Sequence, residues 1–388
     1  MELLSNNIFF SLLALVFFYP IFLFNSAFIK VTIFIYAYPV WLLSGLWLGI
    51  PSTRIIERVG MPYYSEYIDT GFIWAMVSYI AFLAAISNLR KKEISFDVLI
   101  IPPLFRLFLL GIFILFLFLA YPSAMGVGTI RFGSFGSLVV SLLTLLIVTG
   151  KNRNKFDYLN LTLGFVLIFI ILRGERVDFI LGLLTLYLVF KGTSYISLKK
   201  MFLSFFVLLL LGTVGGAIRA GESLSVENIL TVLWYSVVNF GTAIDVVHVY
   251  MSAVWYFHEE PLTLKPVINV IASFIPLSSI GGVSSEYNIV WILREKITNV
   301  GGGLFYSVGA MSFGLLGAAL SGYIYGMFFK FLFSLKGFYV SFFLAFFIMQ
   351  FRLQWYGATY FGKVFFVLFI LGSVFYVIRK AGFLKDKV

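Results

Sequence analysis

Apolar runs of about 20 residues follow one another along nearly the whole chain, separated by short polar breaks. A helix of that length crosses the roughly 30 Å hydrocarbon core of a bilayer. Stretches such as 107–121 and 201–211 are apolar on every side, as helices surrounded by lipid or by other helices are. The pattern predicts spans near 4–24, 30–50, 69–88, 99–121, 134–150, 158–173, 176–190, 201–218, 230–257, 304–329, 338–356 and 362–378. A further run, 267–280 (VINVIASFIPLSSI), is short and contains Pro276, so it reads as a re-entrant or interfacial helix. The expected count is therefore about 12 transmembrane helices, with 11 to 13 allowed. Backbone polar groups in lipid must pair within the chain, which makes these spans α-helical. The alternating pattern of a membrane barrel is absent. The expected fold is all-α: a polytopic integral membrane protein, residues 1–388 forming a single transmembrane domain.

Composition excludes a soluble domain: 61% of the 388 residues are hydrophobic and 12% charged, and mean hydropathy is +1.02. The formal net charge of +11 then reads as the positive-inside bias and attraction to anionic headgroups, with no nucleic acid implied. The chain has no cysteine, which rules out disulfides and thiolate metal sites. The first apolar run opens with Glu2 and lacks a small-residue cleavage site, so it reads as a retained span.

Lysine and arginine are segregated. Most lysines fall in five breaks: Lys91 and Lys92; Lys151 and Lys155; Lys191, Lys199 and Lys200; Lys330 and Lys336; Lys380, Lys385 and Lys387. Only Arg90, Arg153 and Arg379 join them. These breaks are expected on the cytoplasmic face. Alternation then places 51–68, 122–133, 173–178, 219–229, 281–303 and 352–361 on the outer face, with eight of the nine remaining arginines. Arg106 alone sits inside a span. Lysine is a hydrated point charge that serves topology, whereas arginine is a planar fork that holds phosphate or carboxylate through two bonds. One conflict remains in this scheme. Spans 230–257 and 304–329 run the same way, so either 258–303 recrosses the membrane or 230–257 falls short of spanning it.

The break Arg173-Gly174-Glu175-Arg176-Val177-Asp178 packs four charges into six residues between apolar helices. Charges near membrane depth are costly and tend to line polar cavities. Arg173 and Arg176 share a helical face. Arg219 follows a glycine-marked helix end, and Arg352 closes the run FYVSFFLAFFIMQ ahead of Gln354, Trp355 and Tyr356. Arg173, Arg176, Arg219, Arg352 and Arg294 are the candidate diphosphate-binding residues. Asp245 and His248 lie at i and i+3 in an apolar run, an arrangement that makes either a general base, a proton relay or a structural pair. His258 reads as ordinary loop. Two histidines and no cysteine argue against a tight zinc site, while a carboxylate-held Mg²⁺ or Ca²⁺ stays open. Nucleotide fingerprints and a nucleophile elbow are also missing, so no cofactor is expected. Residues 258–303 form an outer-face loop or re-entrant segment. Within it, Gly281 and Gly282 on one side and Gly301, Gly302 and Gly303 on the other are candidate hinges of a lid.

Gly174-Glu175-Arg176 at an outer helix start, Arg219 after the next span, Ile275-Pro276 and then GGGLFYSVGAMSFGLLG resemble the Wzy-type O-antigen polymerases over roughly residues 160–335. The resemblance implies a GT-C-like enzyme of the bacterial cytoplasmic (inner) membrane. Such an enzyme joins undecaprenyl-diphosphate-linked oligosaccharide repeat units on the periplasmic face, moving the growing chain onto the incoming unit. It implies the lipid bilayer and a chain-length-regulating membrane co-polymerase as partners. Members often carry a glutamate before the late Phe-Gly, where this chain has Ser307-Val308-Gly309-Ala310. The residues fit such chemistry. Arginines stabilise a diphosphate leaving group without metal, Asp245 and His248 are candidate groups for the acceptor hydroxyl, and lipid tails restrict both substrates to the bilayer plane. An O-antigen ligase, or a non-enzymatic flippase for lipid-linked sugars, stays open as an alternative.

Overall fold

The structure is a computed structural model. It describes residues 2–49, 64–94, 104, 106–115, 133–148, 165, 176–192, 195–197, 199–200, 203, 206–207, 210, 225–227, 229–230, 233, 244–274, 285–296, 303–336, 339–355 and 357–381. Its main helices are α1 (Glu2–Phe18), α2 (Ala27–Trp47), α3 (Tyr64–Ile86), α4 (Gly133–Val148), α5 (Arg176–Lys191), α6 (Ile244–Glu259), α7 (Lys265–Ala272), α8 (Ile289–Arg294), α9 (Ser307–Phe333), α10 (Val340–Trp355) and α11 (Thr359–Lys380). Short 3₁₀ turns join some of them, and no strand occurs among the described residues. Three helical segments, Ala27–Trp47, Glu66–Leu89 and Ser307–Phe333, are long and apolar enough to cross a membrane. Shorter apolar helices accompany them, among them Arg106–Leu115 and Val340–Trp355. The chain is thus an all-helical membrane protein.

The backbone groups into two compact units. The first holds residues 1–92, 225–331 and 352–363; the second holds 93–224, 332–351 and 364–388. In the first, α2 and α3 lie side by side, with Tyr36 stacked flat on Phe82 at 4.4 Å and its hydroxyl 2.7 Å from that of Ser78. The turn before α2 meets the turn after α3, where the Asn25 N–H donates to the Arg90 carbonyl at 3.0 Å. That end carries Arg90, Lys91 and Lys92, the end expected in the cytoplasm. At the other end the Trp47 indole donates to Asp69 at 2.6 Å and stacks on Phe72.

The C-terminal end of α6 belongs to this second end as well. His258 stacks on Tyr67 at 5.0 Å and on Trp74 at 5.5 Å, and the Tyr67 hydroxyl donates to Glu259. His258 is therefore part of a helix-end aromatic cluster rather than a loop residue. The following segment stays beside it: Lys296 pairs with Glu260 at 3.0 Å, α8 packs on α6, and α7 packs on residues 285–287. The hydrogen bond to Glu260 holds the Lys296 pKa above its ordinary value, so on the alkaline side the pair persists until pH rises through that raised value. α6 rises toward the end away from Arg90, and the described parts of 258–296 remain there. The remaining residues of 267–280, from 275 on, lie outside the described set.

The expected span 304–329 contains a reversal. At Gly314 the backbone turns to φ 58, ψ −136, inside what is otherwise the helix Ser307–Phe333. A straight helix would hold residues 305 and 325 about 30 Å apart. Instead the rings of Phe305 and Tyr325 are 5.2 Å apart. A Cβ on Gly309 would run into the carbonyl of Gly317, and one on Gly317 into that of Gly309. Residues 307–313 are thus a short half-helix folded back on the long leg 315–333. That leg packs on α3 through small residues one turn apart: Gly322 touches the Ser78 backbone and Gly326 the side chain of Ala85. Such close backbone approach is how helices associate where lipid is as apolar as they are.

In the second unit α4 and α5 pack together, and the Arg106 side chain donates to the Leu146 carbonyl at 3.3 Å. This partner explains how a lone arginine is tolerated inside an apolar run. Phe343 packs edge-on to Phe333, and Tyr339 packs on Phe375.

The orientation is testable because any introduced cysteine is the only one present. With the outer membrane permeabilised, an impermeant thiol reagent is expected to modify Asp69→Cys and to spare Lys92→Cys; both native side chains are exposed. The opposite pattern would invert the protein.

Candidate functional site

Two interruptions of helical backbone meet in the core of the first unit. One is the non-helical stretch 303–306 that precedes the half-helix; the other is the break where α10 gives way to α11. The Gly303 N–H donates to the Trp355 carbonyl at 3.2 Å and the Phe305 N–H to the Gln354 carbonyl at 3.0 Å. Gly303 (φ 141) and Gly357 (φ 86) hold conformations that side chains rarely tolerate, and the Gly303 carbonyl lies 3.6 Å from where a Cβ on Gly357 would sit. The crossing is level with the middle of α2, not with its ends. Tyr306 contacts Tyr36 at 6.1 Å and Tyr250 at 4.9 Å, and Tyr38 contacts Trp355 at 6.0 Å. Non-helical backbone at membrane depth persists only where protein buries it or where it lines a cavity.

The surroundings are polar for such a depth. The Tyr250 hydroxyl donates to the Gly71 carbonyl at 2.6 Å, and Tyr79 donates to the Phe17 carbonyl at 2.6 Å. These satisfied hydroxyls frame several that are not. Tyr306 Oη, Ser307 Oγ and both polar atoms of the Gln354 amide are buried with no hydrogen-bond partner. A buried polar group left unpaired costs about 1–3 kcal/mol, so four such atoms around one crossing need a reason.

The sequence-derived candidates fall unevenly on this geometry. Arg352, only 6% exposed, lies in the last turn of α10, three residues before the carbonyl that Gly303 bonds. Trp355 is likewise interior, packed on Tyr38. His248 is 4% exposed on α6, and the next residue, Val249, meets Gly303: a Cβ there would come within 3.0 Å of its Cγ1. Asp245 lies on the same helix, but its side chain is outside the described set. Arg176 opens α5, likewise with its side chain outside that set. Arg294 is exposed on α8 with its guanidinium 4.9 Å over the Trp291 ring. Arg173, Arg219, Gly281, Gly282, Gly301 and Gly302 lie outside the described residues.

No family model, curated protein or solved structure matches this chain. The site must therefore be read from its chemistry. Tyr306 and Ser307 carry no local signal, because only the tertiary backbone pairing brings 303–305 beside 354–355. The one local signal was a glutamine two residues after an arginine at the end of an apolar run.

Proposed function

We propose that this protein is a glycosyltransferase of the bacterial inner membrane. It polymerises undecaprenyl-diphosphate-linked oligosaccharide repeat units on the periplasmic face, within a GT-C-like arrangement of about 12 spans. The observation that carries this reading is Arg352: a cation buried in the last turn of α10, three residues before the carbonyl that Gly303 bonds. Arg352 already interacts within the protein, and a guanidinium with five donors can still offer two of them to a phosphate. A diphosphate on a lipid anchor rides at the headgroup level and would reach this arginine through a path within the protein, and its charge grows as the glycosidic bond to it breaks. A fixed guanidinium stabilises that charge with no metal in the step.

Losing one charge-assisted contact of about 1.5–3 kcal/mol lowers turnover by roughly ten- to a hundredfold. Purified protein in lipid nanodiscs, given synthetic lipid-diphosphate repeat units, is expected to give a ladder of products. Arg352→Ala should lose most of that activity, and Arg352→Lys should recover only part, because the two-pronged fork is gone. A well-inserted Arg352→Ala protein that still makes long polymer would refute the assignment.

A second reading is favoured by the reversal at Gly314 and the break at Gly357. Broken helices at mid-depth are the hallmark of transporter binding sites. A flippase for the same lipid-linked sugars would move labelled substrate across proteoliposomes and yield no ladder.

A further inference from the structure

We infer that Gln354, Tyr306 and Ser307 form a subsite for an uncharged, hydroxyl-bearing group, a sugar ring with neighbouring hydroxyls, alongside the anion site at Arg352. The inference rests on the polymerase reading above and adds to it a neutral subsite with named residues.

The chemistry follows from what these side chains lack. The Gln354 amide offers one acceptor and two donors; neither its oxygen nor its nitrogen is used, and the residue is 0% exposed. The Tyr306 hydroxyl, 0% exposed, and the Ser307 hydroxyl, 1% exposed, are likewise unused. A partner for an amide must both give and accept hydrogen bonds over a short distance. Two neighbouring hydroxyls do this, one donating to Oε1 and the other accepting from Nε2. A phosphate brings acceptors alone and would leave Oε1 unpaired, and a cation would leave Nε2 unpaired.

The structure is closed over these atoms, so binding requires the crossing to open. Gly303 and Gly357 flank it in backbone conformations that other residues resist. The two hydrogen bonds joining 303–305 to 354–355 are the ones that must part. Ser307→Cys, in a chain with no other thiol, places a nearly isosteric reporter at this point. Ser44→Cys is a closed control, because Ser44 is buried and its hydroxyl already donates to the Trp41 carbonyl.

The experiment follows modification of each thiol by a small methanethiosulfonate in nanodiscs. Three conditions are compared: no addition, undecaprenyl diphosphate, and undecaprenyl-diphospho-N-acetylglucosamine. Ser307→Cys is expected to react at least about tenfold faster than Ser44→Cys, and the sugar-bearing lipid is expected to slow it about tenfold more than undecaprenyl diphosphate does. Adding Gln354→Leu or Tyr306→Phe should abolish the difference between the two lipids. Equal protection by both lipids would overturn the sugar subsite while leaving diphosphate binding intact. Protection by neither, with Ser307→Cys reacting freely, would mean ordered water is the only occupant and would also overturn it. A Ser307→Cys thiol as inert as Ser44→Cys overturns the opening. Thermal unfolding supplies the guard against misfolded variants. If Tyr306→Phe merely removes an orphan hydroxyl, the protein gains stability with lipid selectivity unchanged, which counts against the subsite.

Discussion

Replacing Gly314 with valine is expected to leave little monodisperse protein after extraction in mild detergent. At φ 58, ψ −136 the backbone occupies a region open essentially to glycine alone, and a side chain there costs about 1–3 kcal/mol, more when β-branched. Space is lacking too, since a Cβ would stand 2.8 Å from Cζ of Phe257. The cost spreads because the reversal holds the Gly309–Gly317 contact and sets the half-helix against α6. Net stabilities of only about 5–15 kcal/mol leave small room for such a loss. Gly314→Ala should be intermediate. Adding Phe257→Ala to it relieves the clash but not the strain, so the double variant should recover only part of the thermal midpoint. If Gly314→Val unfolds at the parent's temperature, residues 307–333 do not reverse there, and the crossing built on that reversal falls with it.

The reversal also shows where sequence reasoning stops. Helix and membrane character are written in runs of one-dimensional hydrophobicity, and several boundaries came close. The expected spans 30–50, 338–356 and 362–378 meet helices Ala27–Trp47, Val340–Trp355 and Thr359–Lys380. Gly314 sits in GAMSFGLLG, where any glycine reads equally well as a small packing residue. Only its contact with Phe257, 57 positions away, gives its conformation a purpose. Tyr36, Tyr250, Tyr306 and Tyr325 are likewise ordinary aromatics in the sequence and become a cluster only when four segments are brought together. Arg352 was legible because a cation in an apolar run announces its own cost. Arg294 is a candidate only through the segregation of arginines to the outer-face segments, and its guanidinium sits over the Trp291 ring, an attraction that needs no ligand. His258 was passed over because a histidine before two glutamates and a proline looks like a loop; its stacking between Tyr67 and Trp74 depends on a helix far away in sequence.

On the polymerase reading proposed above, with His248 as the base, activity of His248→Ala is expected to fall by about 10²–10⁴, the usual loss when a general base is removed, which corresponds to roughly 3–5 kcal/mol in the barrier. His248 is nearly enclosed, and its neighbour Val249 packs on Gly303 at the crossing, so the imidazole lies on the helix that walls the candidate site. The acceptor sugar hydroxyl must lose its proton as it attacks the anomeric carbon, and imidazole accepts a proton only in its neutral form. The sign follows: activity of the parent enzyme should fall as pH is lowered and the ring protonates, and His248→Ala should lose that acid limb along with its rate. Asp245, one turn earlier on α6, is the candidate group that orients the ring. Asp245→Asn should displace the acid limb and reduce turnover less than His248→Ala does. His248→Gln separates chemistry from packing, because it keeps a buried hydrogen-bonding side chain and cannot act as a base at these pH values. It should fold like the parent and polymerise as poorly as the alanine variant. A His248→Gln protein that polymerises at the parent's rate with the parent's pH profile would make the histidine structural. The acceptor would then be activated by positioning against the Arg352 field or by another carboxylate.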